Sequence, residues 1–453
     1  MDKRHSFSGK IGFVLSTAGA SVGLGNIWRF PYLAAKYGGG IFLLVYIILA
    51  ATFGYTMIIS ETALGRMTFK SPVGAFRRFG KGRFFKFGGW INAIIPMLIV
   101  PYYSTIGGWV LKYLVEYIKG NAALLAEDDY FGNFISNGWD VELWFIVFAA
   151  VTLFVIYAGV RNGIERVSRF MMPLLVLLAI IIAGYSMSRK GAMAGVVYFL
   201  VPNIKNFSWM TVVSAMGQMF YSLSIAMGIL VTFGSYMKED VEIESATIQV
   251  EIFDTAIAIM GGLMIIPAVF AFSGGDASVL KAGPSLMFIT IPKVLLNMGF
   301  TTPAGILFFL LVFFAALTSS IALTECAVST FEDELHLSRT KSTLLIGVIM
   351  IAIGTLSCLG YGPLAFITLI GMPFLDFFDF LTNSLMMPIS AITICILIAR
   401  FVTLGRVEEE VTKCGAPFKR KGVYNFMIRY LCIAFLLVIL LSSLASAFGL
   451  ISM

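Results

Sequence analysis

The chain has 453 residues, 59% of them hydrophobic and 13% charged, and its mean hydropathy is strongly positive. Soluble domains are nearer half apolar and a quarter charged, so these proportions exclude a water-solvated globule and point to a protein dissolved mainly in lipid. The net charge of +7 is no nucleic-acid signal, because Lys and Arg fall in short loops between apolar runs and no basic face interleaves with aromatics.

The polar start Met1–Gly9 runs straight into an apolar stretch too long for a cleaved leader, so no signal peptide is expected. Runs of the length a bilayer needs, about 20 residues, then recur near 11–36, 41–65, 88–118, 142–159, 166–187, 211–236, 243–272, 303–334, 342–359, 373–400 and 425–449. The expectation is an all-α polytopic membrane protein of eleven spans in one domain, 1–453. The inside loops collect Lys3, Arg4 and Lys10, the group from Arg66 to Lys86, Arg161, Arg166 and Arg169, and Arg400 to Lys421. By the positive-inside rule the N-terminus is cytoplasmic, and an odd span count puts the C-terminus outside.

The first run is interrupted by Ser21-Val22-Gly23-Leu24-Gly25 and the sixth by Ser224-Ile225-Ala226-Met227-Gly228. If spans 1–5 (about 11–187) and 6–10 (about 211–400) are two halves, the breaks correspond, and five spans per half make the halves inverted. Paired interruptions point to a transporter site near the midplane. A bilayer cannot satisfy backbone freed from a helix, so such a stretch must face protein, water or an ion. Close helix packing is the other reading of the glycines, but Asn26, Trp28, Arg29 and Pro31 follow within the same run.

Several residues carry two readings each. Arg29 is either a snorkelling side chain or a gate charge paired with Asp379. Asp254, inside the seventh run, is hydrogen-bonded between helices, ligates a cation or carries a proton. Thr318-Ser319-Ser320 supplies three hydroxyls that bond back to helix carbonyls or serve a small hard cation. Tyr103, between Pro101 and Gly107-Gly108, is a core aromatic or a phenol aimed at the break. The cysteines (Cys326, Cys358, Cys395, Cys414, Cys432) lack metal spacing, and His5 and His336 only flank spans. No nucleophile–base set, phosphate loop or dinucleotide fingerprint occurs, so no enzyme is expected.

The run Gly19-Ala20-Ser21-Val22-Gly23-Leu24-Gly25-Asn26-Ile27-Trp28-Arg29-Phe30-Pro31 resembles the signature of the neurotransmitter:sodium symporter family, in its bacterial amino-acid branch. The likeness continues through Gly38-Gly39-Gly40, Gln218, the sixth-run break, Leu317-Thr318-Ser319-Ser320 and Phe331-Glu332-Asp333-Glu334-Leu335. It implies sodium-coupled amino-acid symport by alternating access, the bundle of spans 1, 2, 6 and 7 rocking against the rest. One sodium site would use Ser21, Asn26, Ser222, Asp254 and the substrate carboxylate, and a second Gly19, Val22, Ala315, Thr318 and Ser319. The substrate would meet Ser21, Leu24, Gly25, Ile99, Tyr103, Tyr221, Ser222, Ser224, Met227, Ser319 and Leu323. Arg29 with Asp379 would form the outer gate and Arg4 with Asp333 the inner one.

Three departures qualify the likeness. Asp254 replaces an asparagine and Ala258 a glutamate of the bacterial leucine transporter, so Asp254 is expected to supply charge that chloride supplies in animal members. The span count is eleven rather than twelve. Gly23 stands where monoamine carriers keep an aspartate, and the implied pocket is apolar, so a neutral, hydrophobic or aromatic amino acid is expected. The rival from another class is a transport-inactive amino-acid sensor, and a channel is a third reading. A homodimer stays open.

Overall fold

In hydrocarbon every backbone amide must find its partner within the segment, which leaves helices as the economical solution for a chain of this composition. The structure, a computed structural model, describes residues 6–275 and 283–447. Among the described residues the chain is helical apart from loops, its one β-type pairing being a bridge between Leu369 and Met372.

Nine described helices are long and apolar enough to cross a bilayer: Gly40–Thr68, Arg83–Ile118, Gly138–Tyr157, Val160–Met187, Ile243–Ser273, Thr301–Leu335, Arg339–Leu359, Phe374–Val402 and Lys421–Ser446. The pair Lys10–Ser21 and Gly25–Lys36 forms a tenth, bent by 56°. Trp209–Ser222 and Ile229–Ser235, with 223–228 between them, occupy the sixth position. All eleven segments lie on the apolar runs of the sequence. Several begin earlier than the hydropathy suggests, because polar residues prolong the helix into the interface. The fourth starts at Gly138, where the Asn137 side chain accepts from Asp140 N at 3.4 Å. The third starts at Arg83 and the ninth at Arg339.

Burial sorts the spans into core and periphery. The third and eighth are 78% buried over their apolar windows, against 28% for the eleventh, so the first two form the centre and the last faces lipid. Two of the spans nearest the site touch through glycine. A Cβ on Gly65 would sit 2.0 Å from the Val231 carbonyl oxygen, and one on Gly234 would sit 2.4 Å from that of Thr62. Small residues are what let backbones approach this closely where no hydrophobic effect drives helices together. The second span thereby holds the second half of the sixth, Ile229–Ser235.

Neither partner in that contact is a flexible side chain. Gly65→Ala is therefore expected to destabilise the protein by about 1–3 kcal/mol through overpacking, read as a lowered thermal unfolding midpoint in detergent.

Candidate substrate and cation site

The first break arises where Val22 turns extended (φ −72°, ψ 102°) and the helix restarts in a wide π-type turn over Gly25–Arg29. Asn26 bridges the gap from within, its Oδ1 accepting from Gly23 N at 3.1 Å. The freed carbonyls are taken up from neighbouring spans. Ser319 Oγ reaches Gly19, Ala20 and Val22 oxygens at 3.4, 3.2 and 3.2 Å, and Ser224 Oγ donates to Ala20 O at 3.1 Å. Gln218 Nε2 donates to Gly25 O at 3.0 Å. The seventh span presses on the break through Gly261, where a Cβ would lie 2.3 Å from Asn26 O.

The second break is more contorted. Ser224 (φ 53°), Ala226 (φ 62°) and Gly228 (φ 71°) all adopt left-handed backbone. For Ser224 and Ala226 this costs about 1–2 kcal/mol each, so outside contacts must hold them. Glu61 Oε1 accepts from Ala226 N at 2.8 Å and Ser390 Oγ donates to Ala226 O at 3.0 Å. Glu61 is fully buried, and its Oε2 is without a hydrogen-bond partner.

Next to both breaks lies a polar cluster. Asp254 accepts from Asn26 Nδ2 (2.8 Å), Ser222 Oγ (3.0 Å) and Tyr46 OH (3.0 Å), all buried. Three donors around one carboxylate match its acceptor-only ionised form. Of the residues implied for the first sodium site, Asn26, Ser222 and Asp254 are thus in direct contact. The Ser21 Oγ is buried without a partner. For the second site, Thr318 Oγ1 bonds Phe314 O (2.9 Å) and Ala315 O (3.3 Å), and the hydroxyl of the next residue, Ser319, lies on the Gly19 and Val22 oxygens. Hydroxyl and carbonyl oxygens gathered this closely suit a hard monovalent cation. No cluster of three or more His, Cys, Asp or Glu side chains able to hold a metal occurs among the described residues.

The breaks enclose a 30 Å³ cavity lined by Ser21, Leu24, Gly25, Ile99, Tyr103, Tyr221, Ser222, Ser224, Met227, Ser319 and Leu323, together with Ala20, Gly23, Asn26 and Ile229. Every substrate residue implied by the sequence resemblance is on that wall. Tyr103 OH accepts from Leu24 N at 3.4 Å. Beyond lies a 550 Å³ vestibule that shares Leu24, Tyr103 and Tyr221 with the cavity. Arg29 and Asp379 both line it. Arg29 stacks over the Tyr221 ring at 5.3 Å and Asp379 accepts from Asn383 at 2.6 Å, with no ion pair joining the two within 4.0 Å.

On the other side Asp333 accepts from Ser71 N at 2.6 Å and pairs with Lys70 at 3.8 Å. Its expected partner Arg4 lies outside the described residues. Phe7 packs on Phe233 and Tyr236 (5.5 and 6.0 Å), and Tyr236 OH donates to Glu325, which Arg339 pairs at 2.6 Å. Sequence reasoning missed Tyr46, Glu61 and Ser390. A carboxylate inside the second apolar run was a signal that pointed to Glu61. Nothing in the sequence singled out Tyr46 or Ser390.

The model of the sodium:neurotransmitter symporter family matches residues 4–126 and 125–450, nearly the whole length. The chain belongs to that family. It is 33% identical over 399 residues to the sodium-dependent transporter YhdH of Bacillus subtilis, covering 87% of this chain and 88% of that protein. Over 383 residues it is 28% identical to the mouse sodium- and chloride-dependent GABA transporter 2, covering 73% of this chain and 62% of the mouse protein. Among solved structures, MhsT in complex with L-phenylalanine superimposes with a TM-score of 0.87 at 32% identity, over 97% of this chain and all of the other. Membership makes this a multi-pass membrane transporter of the symporter fold rather than an enzyme.

Removing the Glu61 carboxylate strands the Ala226 amide in a buried, strained turn. Glu61→Ala is expected to cost about 1–3 kcal/mol of stability, and Glu61→Gln, which keeps an acceptor, markedly less. Thermal unfolding of the two variants beside the parent checks the order.

Proposed function

We propose that the chain carries a neutral amino acid with a hydrophobic or aromatic side chain into the cell, coupled to sodium, by alternating access. The observation that carries this reading is the convergence of two helix breaks on one small cavity whose wall combines polar and apolar groups. The amides and hydroxyls of residues 21–26, Tyr103 and Ser224 suit an α-amino acid's charged groups. Ile99, Met227 and Leu323 supply apolar wall, and no acidic or basic side chain lines the cavity.

Sodium neutralises the substrate carboxylate in this scheme, with Ser21, Asn26, Ser222 and Asp254 on the first site and Gly19, Val22, Ala315, Thr318 and Ser319 on the second. The present 30 Å³ has room for about one water, so substrate entry requires the wall to move. Met227, unbranched and polarisable, is the adaptable part. The structure of MhsT with L-phenylalanine supports the aromatic end of the substrate range. The scheme takes repeats over about 11–187 and 211–400, inverted with respect to each other, and a cytoplasmic N-terminus with the C-terminus outside. Arg29 and Asp379 act as the outer gate, and Arg4 and Asp333 as the inner one.

Uptake of radiolabelled amino acids into proteoliposomes under an inward sodium gradient tests this reading. Accumulation in sodium but not potassium is the expected result, and binding without accumulation overturns it. Asn26→Ala removes the residue that links break and Asp254, so it should weaken sodium and substrate affinity together, each by about tenfold, as for a hydrogen bond to a charged group. Titrations of both ligands measure this, and unchanged sodium dependence refutes the shared site.

Asp254 sits where it supplies negative charge without an anion. Replacing chloride by gluconate is accordingly expected to leave sodium-driven uptake unchanged, whereas collapse of uptake contradicts that role.

A further inference from the structure

Between the second and third spans the chain runs Arg77-Arg78-Phe79-Gly80-Lys81-Gly82-Arg83-Phe84-Phe85-Lys86-Phe87. Arg77 is taken, pairing with Glu334 on the eighth span. Arg78, Lys81, Arg83 and Lys86 are all exposed, and none of them meets a carboxylate among the described residues. Four cations in nine positions repel one another unless something anionic lies against them.

The phenylalanines between them make this a built surface rather than a loose loop. Phe84 stacks on Phe401 at 5.6 Å and Phe85 meets the same ring edge-on at 4.8 Å, while Phe84 also touches Phe76 at 6.5 Å. Phe401 lies at the end of the tenth span, so these contacts bring the exposed, unpaired Arg400 to the same corner. The third span begins there at Arg83, with no side-chain cap on Gly82, so first-turn amides of a 36-residue helix add their partial positive charge. One turn further on, Phe87 and Trp90 are exposed at the depth where aromatic belts meet the headgroups.

We propose that Arg78, Lys81, Arg83, Lys86 and Arg400 form a binding site for the phosphate headgroup of an anionic phospholipid of the cytoplasmic leaflet. Charge complementarity selects the headgroup, since guanidinium forks and ammonium groups pair phosphate oxygens. Location selects lipid as its source, because basic clusters beside a cytoplasmic helix end recruit acidic lipids. Phe87 and Trp90 would lie along the acyl chains of the same molecule. The site goes beyond mere orientation of the chain, because it joins two segments over 300 residues apart in sequence at one corner. It rests on the cytoplasmic orientation proposed above, and its test reads lipid retention instead of transport, so the two stand or fall separately.

The full-length protein in detergent is offered equimolar phosphatidylcholine and phosphatidylglycerol, and retained lipid is counted by native mass spectrometry. The parent is expected to prefer phosphatidylglycerol. The variant R78Q/K81Q/R83Q/K86Q is expected to lose at least about tenfold of that preference, each basic group near a membrane being worth roughly fivefold. The variant R161Q/R166Q/K341Q/K419Q removes four other exposed basic side chains and is expected to keep it. No preference in the parent, its survival in the first variant, or equal loss in both variants overturns the proposal. Should the first variant not fold, R78Q/K81Q and R83Q/K86Q made separately are each expected to lose part of the preference, and full retention in both overturns it too.

Discussion

Everything near the centre of this molecule follows from one constraint: lipid offers no hydrogen bonds, so a helix that breaks inside the membrane must be repaired by its neighbours. The first break is repaired by Ser319, Ser224, Gln218 and Asn26, which come from the eighth span, the sixth and the first itself. The second is repaired by Glu61 and Ser390, from the second and tenth. Each repair is also a tie between helices. The site is therefore the knot of the fold, and its geometry cannot change without exchanging those ties for others.

Much of this was legible because a membrane chain writes its exceptions plainly. Glycines at 23 and 25 beside Asn26 and Pro31 stand out in an apolar run, and the same reasoning finds the interruption at Ser224–Gly228. The structure puts the breaks there, and brings every residue of the implied substrate wall to one cavity. Partners drawn from helices of unremarkable sequence were not legible. Tyr46 looks like any tyrosine of an apolar run until its hydroxyl is found on Asp254. Ser390 looks like any serine of an apolar run until it holds the Ala226 carbonyl. Ala226, one residue of the second interruption, proves to be a left-handed residue held from both sides.

Charge in the interior is arranged by the same economy. Asp254 is surrounded by three donors, and Glu325 by Tyr236 and Arg339, so each carboxylate is a junction between spans. Glu61 differs, with one oxygen committed to the broken backbone and the other without a hydrogen-bond partner. Of these three buried carboxylates, Glu61 is the one bonded directly to irregular backbone, and the other two join side chains of different spans.

Leu24, Tyr103 and Tyr221 belong at once to the vestibule and to the inner cavity. On that side only a layer of side chains separates them. On the opposite side Phe7, Phe233 and Tyr236 are backed by the Glu325–Arg339 pair, which ties the eighth span to the ninth. The two barriers differ in kind: on one side three side chains stand between vestibule and cavity, on the other an aromatic cluster is backed by an ion pair that joins two spans. The same chain thus closes its centre with a thin wall on one side and a thick one on the other.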